Sequence, residues 1–226
     1  HAYLKYKCSH KNYQNYTLGF DFITDMFVLE IVLDTNIINV GQNSSLWIER
    51  AARSFAEGMR LQASKILDIE FTELNAGYRL RYTQQNLVYV DIYLYDSLSS
   101  GAGYSTGLES QIDILLQNLE TFFKACSCGN ACQNCLKHYR NQNYHSMLDR
   151  FAALDLLYWA KTGEVHADFN VDEQWKMLLP LKPILQDYDI EINIKNNRIS
   201  ALQGHKIFEL IVQPSMKNKP QENNKI

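Results

Sequence analysis

Four cysteines within ten consecutive positions are the residues of this chain best suited to chemistry. They are Cys126, Cys128, Cys132 and Cys135. Thiolate is a soft anionic ligand, and four thiolates around one Zn²⁺ form a closed tetrahedral site with no open position for a substrate. The spacing therefore predicts one structural zinc held by these four side chains.

Other chemistries remain open for the same cluster. An iron–sulfur cluster also takes four thiolates, although the spacing matches neither of the common ferredoxin runs. Disulfides or free thiols are a further alternative, but cysteines one or three residues apart rarely reach bridge geometry. Cys8 and His10 form a C-x-H pair, and two ligands alone do not make a site. We expect His138 and His145 to be surface or hydrogen-bonded histidines, because four cysteines already complete a zinc site.

Cations flank the cysteine cluster and predict a local contact with DNA phosphates. Lys124, Lys137, Arg140 and Arg150 stand against Asp149, so four positive charges minus one negative charge give +3. A tetrathiolate zinc contributes −2, and part of the positive charge would therefore offset the metal site. The whole chain has a net charge of −3 and a pI near 6.1. This balance argues against a protein whose entire surface is built to hold nucleic acid.

A glycine-rich turn follows a predicted strand that ends in a carboxylate. The strand ends at Asp96, and Gly101 and Gly103 follow before a new helix. Backbone amides at such a turn could hold an anion. However, the lysine of a phosphate-binding G-x-x-x-x-G-K-[ST] loop is absent. We therefore predict a structural turn, in which the glycines supply positive φ and close strand–helix packing.

Amphipathic helices and short strands must position the cysteines and the turn. Apolar residues recur at steps of three and four over residues 46–67, which predicts a helix with one buried face. Alternating apolar residues on either side of residues 83–86 predict a β-hairpin. The charged residues predicted on the solvated face of the helix are Arg50, Arg53, Glu57, Arg60 and Lys65. The predicted fold class is α+β, with a small mixed or antiparallel sheet packed with amphipathic helices and a four-cysteine zinc loop.

The character of the chain changes after residue 165. We predict a zinc-binding domain over residues 1–165 and a short α/β extension over residues 166–226. Residues 190–194 and 207–212 alternate as strands of the extension, and residues 216–226 have the composition of a flexible tail.

The sequence also indicates a cellular setting. Apolar runs are too short for a membrane span, and the N-terminus lacks the layout of a signal peptide. We therefore expect no membrane contact and a reducing cytoplasm, which keeps thiolates available for a metal. Because the chain begins with His1 rather than Met, we expect a fragment or a processed form.

Together these features resemble the MrfA-type zinc-binding (MZB) domain over roughly residues 24–160. The resemblance rests on the order of the elements and on short sequence features. These are Arg53-Ser-Phe-Ala-Glu57, Tyr95-Asp96, Gly101-Ala-Gly103, the four cysteines and Leu148-Asp-Arg150. The chain has Ser100 where the family commonly has another glycine, and Gln133 where proline often stands. The family occurs in superfamily 2 DNA helicases and in anti-phage defence proteins such as the DISARM component DrmB and Druantia helicases.

The resemblance implies that the four cysteines hold one structural zinc in the non-motor part of a DNA-translocating machine. We expect a helicase motor in the same polypeptide or in a partner subunit, DNA as a possible ligand, and a role in DNA repair or anti-phage defence. With no ATP-binding motif or catalytic triad in the sequence, we expect no enzymatic activity of this chain alone.

Two other classes of function stay open. One is a protein–protein scaffold that docks a partner subunit without DNA contact, and the other is a metal-dependent nuclease that uses Asp91, Asp96 and Glu109.

Overall fold

A three-stranded antiparallel sheet with helices on one face forms the larger part of the fold. The structure, a computed structural model, describes Gly19, residues 21–40 and residues 45–217. The strands are β1 (Met26–Asp34), β2 (Leu74–Tyr82) and β3 (Leu87–Asp96), in the spatial order β1-β3-β2. The Cys8 and His10 pair lies outside the described residues.

The predicted hairpin joins β2 to β3 and is confirmed. Tyr82 pairs with Val88 across the turn, and Asn86 adopts a φ of 57°, which asparagine tolerates better than most residues. Alternate residues of β3 point to opposite faces of the sheet. Val88, Val90, Ile92 and Leu94 are all buried on the face that packs against the helices. This alternation is the pattern that predicted the strand.

The helix predicted over residues 46–67 is confirmed as α1 (Ser45–Ile66). Its predicted apolar positions lie in the core between the sheet and the other helices. Ile48, Ala52, Phe55, Met59 and Ala63 are fully buried. Two residues expected on its solvated face are instead only 6% exposed, namely Glu57 and Arg60. That part of the prediction is wrong, because elements distant in sequence cover this side of α1.

Two further helices pack on α1 and lead into and away from the cysteines. They are α2 (Ile112–Ala125), which follows a 3₁₀ helix (Thr106–Gln111), and α3 (Arg150–Thr162). The Asp149 side chain begins α3 by accepting hydrogen bonds from the amides of Phe151 at 3.0 Å and Ala152 at 3.2 Å. At the other end of α3, the Trp159 indole donates to the carbonyl of Val32 in β1 at 2.7 Å. The three helices and the sheet therefore share one core.

Gly58 permits the close approach of α1 and α2. A Cβ atom at this position would lie 2.6 Å from Cζ of Phe123 and 3.0 Å from Cδ2 of Leu119. Overpacking a filled core costs about 1–3 kcal/mol, which outweighs the gain of about 1 kcal/mol from the higher helix propensity of alanine. We therefore expect Gly58→Ala to lower the free energy of unfolding, measured by urea denaturation.

Gly107→Ala is the matched control for this substitution. A Cβ at Gly107 would meet only Cδ2 of Leu67, at an ordinary 3.8 Å. Its stability should stay within about 0.5 kcal/mol of the unchanged chain. An unchanged or higher stability of Gly58→Ala would contradict the packing described for α1 and α2.

The C-terminal part contains two short helices and a second antiparallel sheet. Its elements are α4 (Val171–Leu178), a 3₁₀ helix (Leu179–Leu181), α5 (Lys182–Gln186), β4 (Ile190–Lys195), β5 (Arg198–Gln203) and β6 (Lys206–Leu210). The strands pair in the order β4-β5-β6. The sequence predicted the first and last strands but missed β5, because Leu202 and Gln203 break its apolar alternation. Ile199 and Ala201 nevertheless bury one face of β5.

After β6 the chain runs back to the segment that follows β1. The amide of Asn39 donates to the carbonyl of Met216 at 2.8 Å, and Ile38 forms a β-bridge with Lys217. Met216 is buried in the main core, so the predicted flexible tail does not begin there, and residues 218–226 lie outside the described part. The domain division at residue 165 stays a prediction. Among the described helices, none is long and apolar enough to cross a membrane.

Candidate metal centre

The four cysteines come together in space between α2 and α3. Their Sγ atoms all lie within 4.8 Å of one another. The separations are 3.5 Å for Cys126–Cys132, 3.7 Å for Cys128–Cys135 and 3.8 Å for Cys132–Cys135. A tetrahedron with Zn–S bonds of about 2.3 Å has edges of about 3.8 Å, whereas a disulfide requires about 2.05 Å. The cluster therefore has the size of a tetrathiolate metal site, and its cysteines are not bridged.

Backbone hydrogen bonds build the second half of the cluster. The amide of Cys132 donates to Sγ of Cys135 at 3.1 Å, and the carbonyl of Cys132 accepts from the amides of Cys135 and Lys137 at 3.1 and 3.0 Å. This turn brings both sulfurs to one side of the backbone. An amide aimed at a sulfur stabilises the thiolate form, which is the form that binds a metal.

The thiols differ in how readily they ionise. The backbone amide of Cys128 and the neighbouring thiols lower the pKa of Cys126 to about 7. Burial and the other cysteines raise the pKa of the Cys128 thiol to about 12. The four sulfurs on their own therefore do not all carry negative charge near neutral pH. A divalent cation fits this donor set, because coordination deprotonates thiols and neutralises their charge.

Arg150 is buried beside the cluster and its guanidinium is bound to backbone carbonyls, so its predicted contact with DNA stays a prediction. Its Nη1 donates to the carbonyl of Phe123 at 2.7 Å, and its Nη2 donates to the carbonyl of Cys128 at 2.8 Å. These bonds tie the end of α2 and the start of the cysteine loop to α3. A guanidinium that is only 6% exposed places its charge next to the sulfurs rather than on the surface.

The other three predicted DNA contacts are not equivalent. Lys124 is exposed, but its Nζ lies 2.6 Å from Glu120, and Lys161 approaches the same carboxylate at 2.6 Å. These two lysines lower the pKa of Glu120 to about 2. Lys137 is half-buried and Arg140 is exposed, and neither has a carboxylate within 4.0 Å in the described part of the chain. Of the four cations predicted to contact DNA, Lys137 and Arg140 are therefore the two whose charge is available to bind phosphates.

Both histidines near the cysteines are hydrogen-bonded, as expected, and lie outside the group that could hold a metal. Nε2 of His138 is 3.1 Å from Oε2 of Glu57, and Nε2 of His145 is 3.0 Å from Oδ1 of Asn141. The buried Asn141 also accepts from the amide of His138 at 2.9 Å and donates to the carbonyl of Leu136 at 2.8 Å. Asn141 thus fixes the turn after the last cysteine. Sequence reasoning missed it, because nothing distinguishes it from its polar neighbours.

Glu57 and Arg60 of α1 belong to the same buried network. Nε of Arg60 donates to the carbonyl of Phe71 at 3.2 Å, and its guanidinium lies 4.4 Å from the centre of the Phe71 ring. The edge of this ring also meets His138, with 5.0 Å between ring centres. Burial lowers the pKa of Arg60 and the charge of Arg140 lowers it further, although Glu57 opposes both effects. The network connects α1 to the chain just after the cysteines.

Asp96 organises the glycine-rich turn by accepting three backbone hydrogen bonds. The amides of Ala102, Tyr104 and Ser105 donate to its carboxylate at 2.7, 3.1 and 2.9 Å. Burial works against ionisation of Asp96, yet these hydrogen bonds hold its pKa below the usual value. Because the amides point at Asp96, they are not available to cradle an external anion.

The glycines of this turn have the backbone conformation that the sequence predicted. Gly101 and Gly103 have φ of 73° and 78°, and Ser100 has φ of 75°. Ser100 therefore keeps a positive φ where the family commonly has glycine. A Cβ at Gly101 would lie 2.1 Å from Oδ2 of Asp25, so this position excludes any side chain.

The carboxylates of the nuclease alternative do not converge. Asp91 and Asp96 are five residues apart on β3, so they point to opposite faces of the sheet. Arg79 and Arg81 bind Asp91 at 2.9 and 2.7 Å and lower its pKa. Among the described residues, the group of histidines, cysteines and carboxylates that could hold a metal is the four-cysteine cluster.

Comparisons with known proteins find one family model, one curated relative and one solved structure. Residues 55–136 match the family model of MZB, the MrfA Zn-binding domain. The Druantia protein DruE of Escherichia coli (strain UMEA 4076-1) is 33% identical over 179 residues, which cover 77% of this chain and 10% of DruE. The chain thus spans about a tenth of the length of that relative. The crystal structure of the DUF1998 helicase MrfA bound to DNA aligns with a TM-score of 0.41 and 12% identity, over 53% of this chain and 15% of that one.

The matched range includes all four cysteines of the cluster. Their chemistry and spacing fit one structural zinc, which is the metal of the matched family. Residues 55–136 therefore form a zinc-binding domain of the MZB type.

Proposed function

We propose that this chain is the non-motor part of a DNA helicase or translocase system, in which it braces the motor or guides DNA past it. Cys126, Cys128, Cys132 and Cys135 would be the zinc ligands. With thiolates at all four positions, the metal has no place for water or a substrate, and its role is structural rather than catalytic. The observation that carries this proposal is the closed four-sulfur cluster within the MZB match.

The zinc would add a link between parts of the chain that the core and hydrogen bonds already connect. The cysteine loop begins where α2 ends, at Ala125, and leads into a 3₁₀ helix (Tyr139–Met147) before α3. Arg150 and Asn141 add hydrogen bonds on either side of the loop. The metal would therefore act together with these hydrogen bonds to hold the shape of the surface just after Cys135.

The same surface is the proposed contact with DNA. The sequence contains no Asp or Glu between Glu120 and Asp149, in a chain that has 25 acidic residues among 226. Lys137 and Arg140 lie within this stretch and have no carboxylate partner among the described residues. We propose that they bind phosphates, that the motor lies in the same polypeptide or in a partner subunit, and that the system acts in anti-phage defence or DNA repair. The similarity to DruE supports the defence setting.

Replacing both cations tests the DNA contact. We expect Lys137→Gln with Arg140→Gln to weaken binding to duplexes of different sequence by similar factors, since phosphate contacts carry no sequence information. The slope of log affinity against log salt should fall by about 1 for each lost contact. Fluorescence anisotropy over a salt series measures both quantities.

The control removes two exposed cations elsewhere, of which Arg198 lies 3.7 Å from Glu209. Lys195→Gln with Arg198→Gln, at the β4–β5 turn, changes the net charge by the same amount. If both double variants lose the same affinity, general electrostatics rather than this surface attracts DNA. If the unchanged chain has no salt-sensitive affinity for DNA, the scaffold alternative replaces the proposed function.

A further inference from the structure

We infer that the turn after the cysteines is a binding surface for single-stranded nucleic acid, with Tyr139 stacked on an unpaired base and Lys137 and Arg140 on the flanking phosphates. This inference rests on the proposed function and names its ligand. We call these three residues the Tyr139 surface.

Tyr139 projects from the fold instead of packing against it. Its side chain is 82% exposed, and the next residue, Arg140, is exposed as well. A single exposed aromatic residue is common on protein surfaces. This ring differs because a cation adjoins it in sequence and a second cation lies two residues before it. Alternating aromatic and basic side chains are the composition of surfaces that bind single strands.

The backbone beneath the Tyr139 surface is firmly anchored. Both flanking residues are tied down, His138 by its hydrogen bond to Glu57 and Asn141 by its bond to the carbonyl of Leu136. Residues 138 and 141 therefore face the core, while residues 139 and 140 face solvent. A backbone held in place before binding loses less conformational entropy when a ligand stacks on the ring that it carries.

The electrostatics favour a polyanion. The acidic side chain that contacts the turn through His138, Glu57 of α1, is buried. Lys124 and Arg150 are occupied by Glu120 and by backbone carbonyls. The positive charge of Arg140 is near enough to lower the pKa of the buried Arg60. No carboxylate within 4.0 Å compensates Lys137 or Arg140 among the described residues, and the −2 charge of a tetrathiolate zinc would offset only part of the positive charge around it.

The chemistry of the surroundings selects an unpaired base over a duplex or a protein. Bases inside a duplex have both faces covered by neighbouring pairs, so a projecting ring can stack only on a base that is not paired. Gln142, Asn143, Tyr144 and Ser146 are exposed shortly after Arg140 in the sequence, and their polar groups suit base edges. The centre of a protein–protein interface is instead apolar and poor in charge.

Two substitutions of the ring separate stacking from other effects. We expect Tyr139→Ala to weaken binding of an oligothymidylate of about 15 nucleotides by about 5- to 100-fold, the range seen when a stacking ring is removed. Tyr139→Phe should stay within about threefold, because phenylalanine stacks equally well. Binding of a duplex should stay within about twofold for both variants. Fluorescence anisotropy with zinc-loaded 226-residue protein measures the affinity of the unchanged chain, of Tyr139→Ala and of Tyr139→Phe for each oligonucleotide.

A control variant and two further oligonucleotides complete the experiment. Tyr188→Ala removes a tyrosine that is 69% exposed elsewhere and should leave binding of the single strand unchanged. An oligonucleotide containing 2-aminopurine should lose fluorescence on binding to the unchanged chain and to Tyr139→Phe, but not to Tyr139→Ala. An oligouridylate with the same affinity as oligothymidylate would widen the ligand from DNA to both nucleic acids, and a preference of tenfold or more for oligothymidylate would restrict it to DNA.

The outcomes distinguish this inference from the proposed function. Salt-sensitive binding that Tyr139→Ala leaves unchanged, or that it weakens equally for single strands and duplexes, overturns the stacking surface alone. Absence of binding to every nucleic acid overturns the proposed function and the inference together. Under that result, binding of a motor subunit that depends on Tyr139 would assign the surface to a protein contact.

Discussion

Cys132→Ser is expected to release the zinc and to disrupt the segment between α2 and α3. Cys132 lies 3.5 Å from Cys126 and 3.8 Å from Cys135, and its carbonyl accepts two amides of the turn. A serine hydroxyl remains protonated near neutral pH and does not replace a thiolate ligand. Structural zinc contributes about 10–16 kcal/mol of apparent binding free energy in small zinc-dependent folds. We therefore expect the zinc content to fall well below one per chain and the stability to fall by at least about 3 kcal/mol.

The control for this substitution is the adjacent Gln133→Ala. Gln133 is exposed and stands between the last two cysteines, so its loss should leave the zinc content at one per chain. Elemental analysis after exhaustive dialysis, together with thermal unfolding, measures both effects. Full retention of zinc and stability by Cys132→Ser would show that this thiolate is not a ligand.

Asp96→Asn is expected to be the most damaging substitution outside the metal site. The carboxylate is fully buried and accepts three amides that have no alternative acceptor among their described contacts. An asparagine side chain would turn its NH₂ group toward at least one of these donors. Loss of hydrogen bonds to a buried charged group, with a donor left unsatisfied, costs about 1.5–3 kcal/mol. We expect a decrease of this size in the free energy of unfolding, measured by urea denaturation.

The stability that Asp96→Asn loses relative to the unchanged chain should depend on pH in a defined direction. Its pKa is lowered in the folded state, so its stabilisation is complete above the unfolded value of about 3.9 and is lost as pH falls through the folded value. The difference in stability between Asp96→Asn and the unchanged chain should therefore shrink below about pH 4. Asp187→Asn, at an exposed aspartate, should show no comparable loss at neutral pH. A difference that stays constant from pH 7 to the acid transition would contradict the ionised carboxylate described here.

Local patterns predicted the parts of this fold that depend on neighbours in sequence. The cysteine cluster was predictable because its ligands lie within ten residues, and soft thiolates at that spacing have few other uses. The apolar face of α1 and the hairpin between β2 and β3 were predictable because their periodicities are long and regular. The positive φ of Gly101 followed from a strand that ends in a carboxylate before two glycines.

Features that depend on distant contacts were not predictable. Glu57 seemed to belong to a solvated face, but His138, 81 residues later in the chain, covers it. Arg150 resembled any surface cation, because its acceptors are backbone carbonyls that no sequence pattern marks. Met216 followed the composition of a flexible tail, although it fills a space left by the first sheet and the helices. In each case tertiary packing overrode a local preference.

X-ray absorption at the zinc K-edge of the purified chain tests the central claim most directly, because it reports the ligands of the metal itself. If Cys126, Cys128, Cys132 and Cys135 close one structural site, the spectrum will fit four sulfur atoms at about 2.3 Å, with one zinc per chain. A shell containing nitrogen or oxygen atoms at about 2.0–2.1 Å, or protein that holds no stoichiometric zinc, would contradict the closed tetrathiolate on which the proposed function depends.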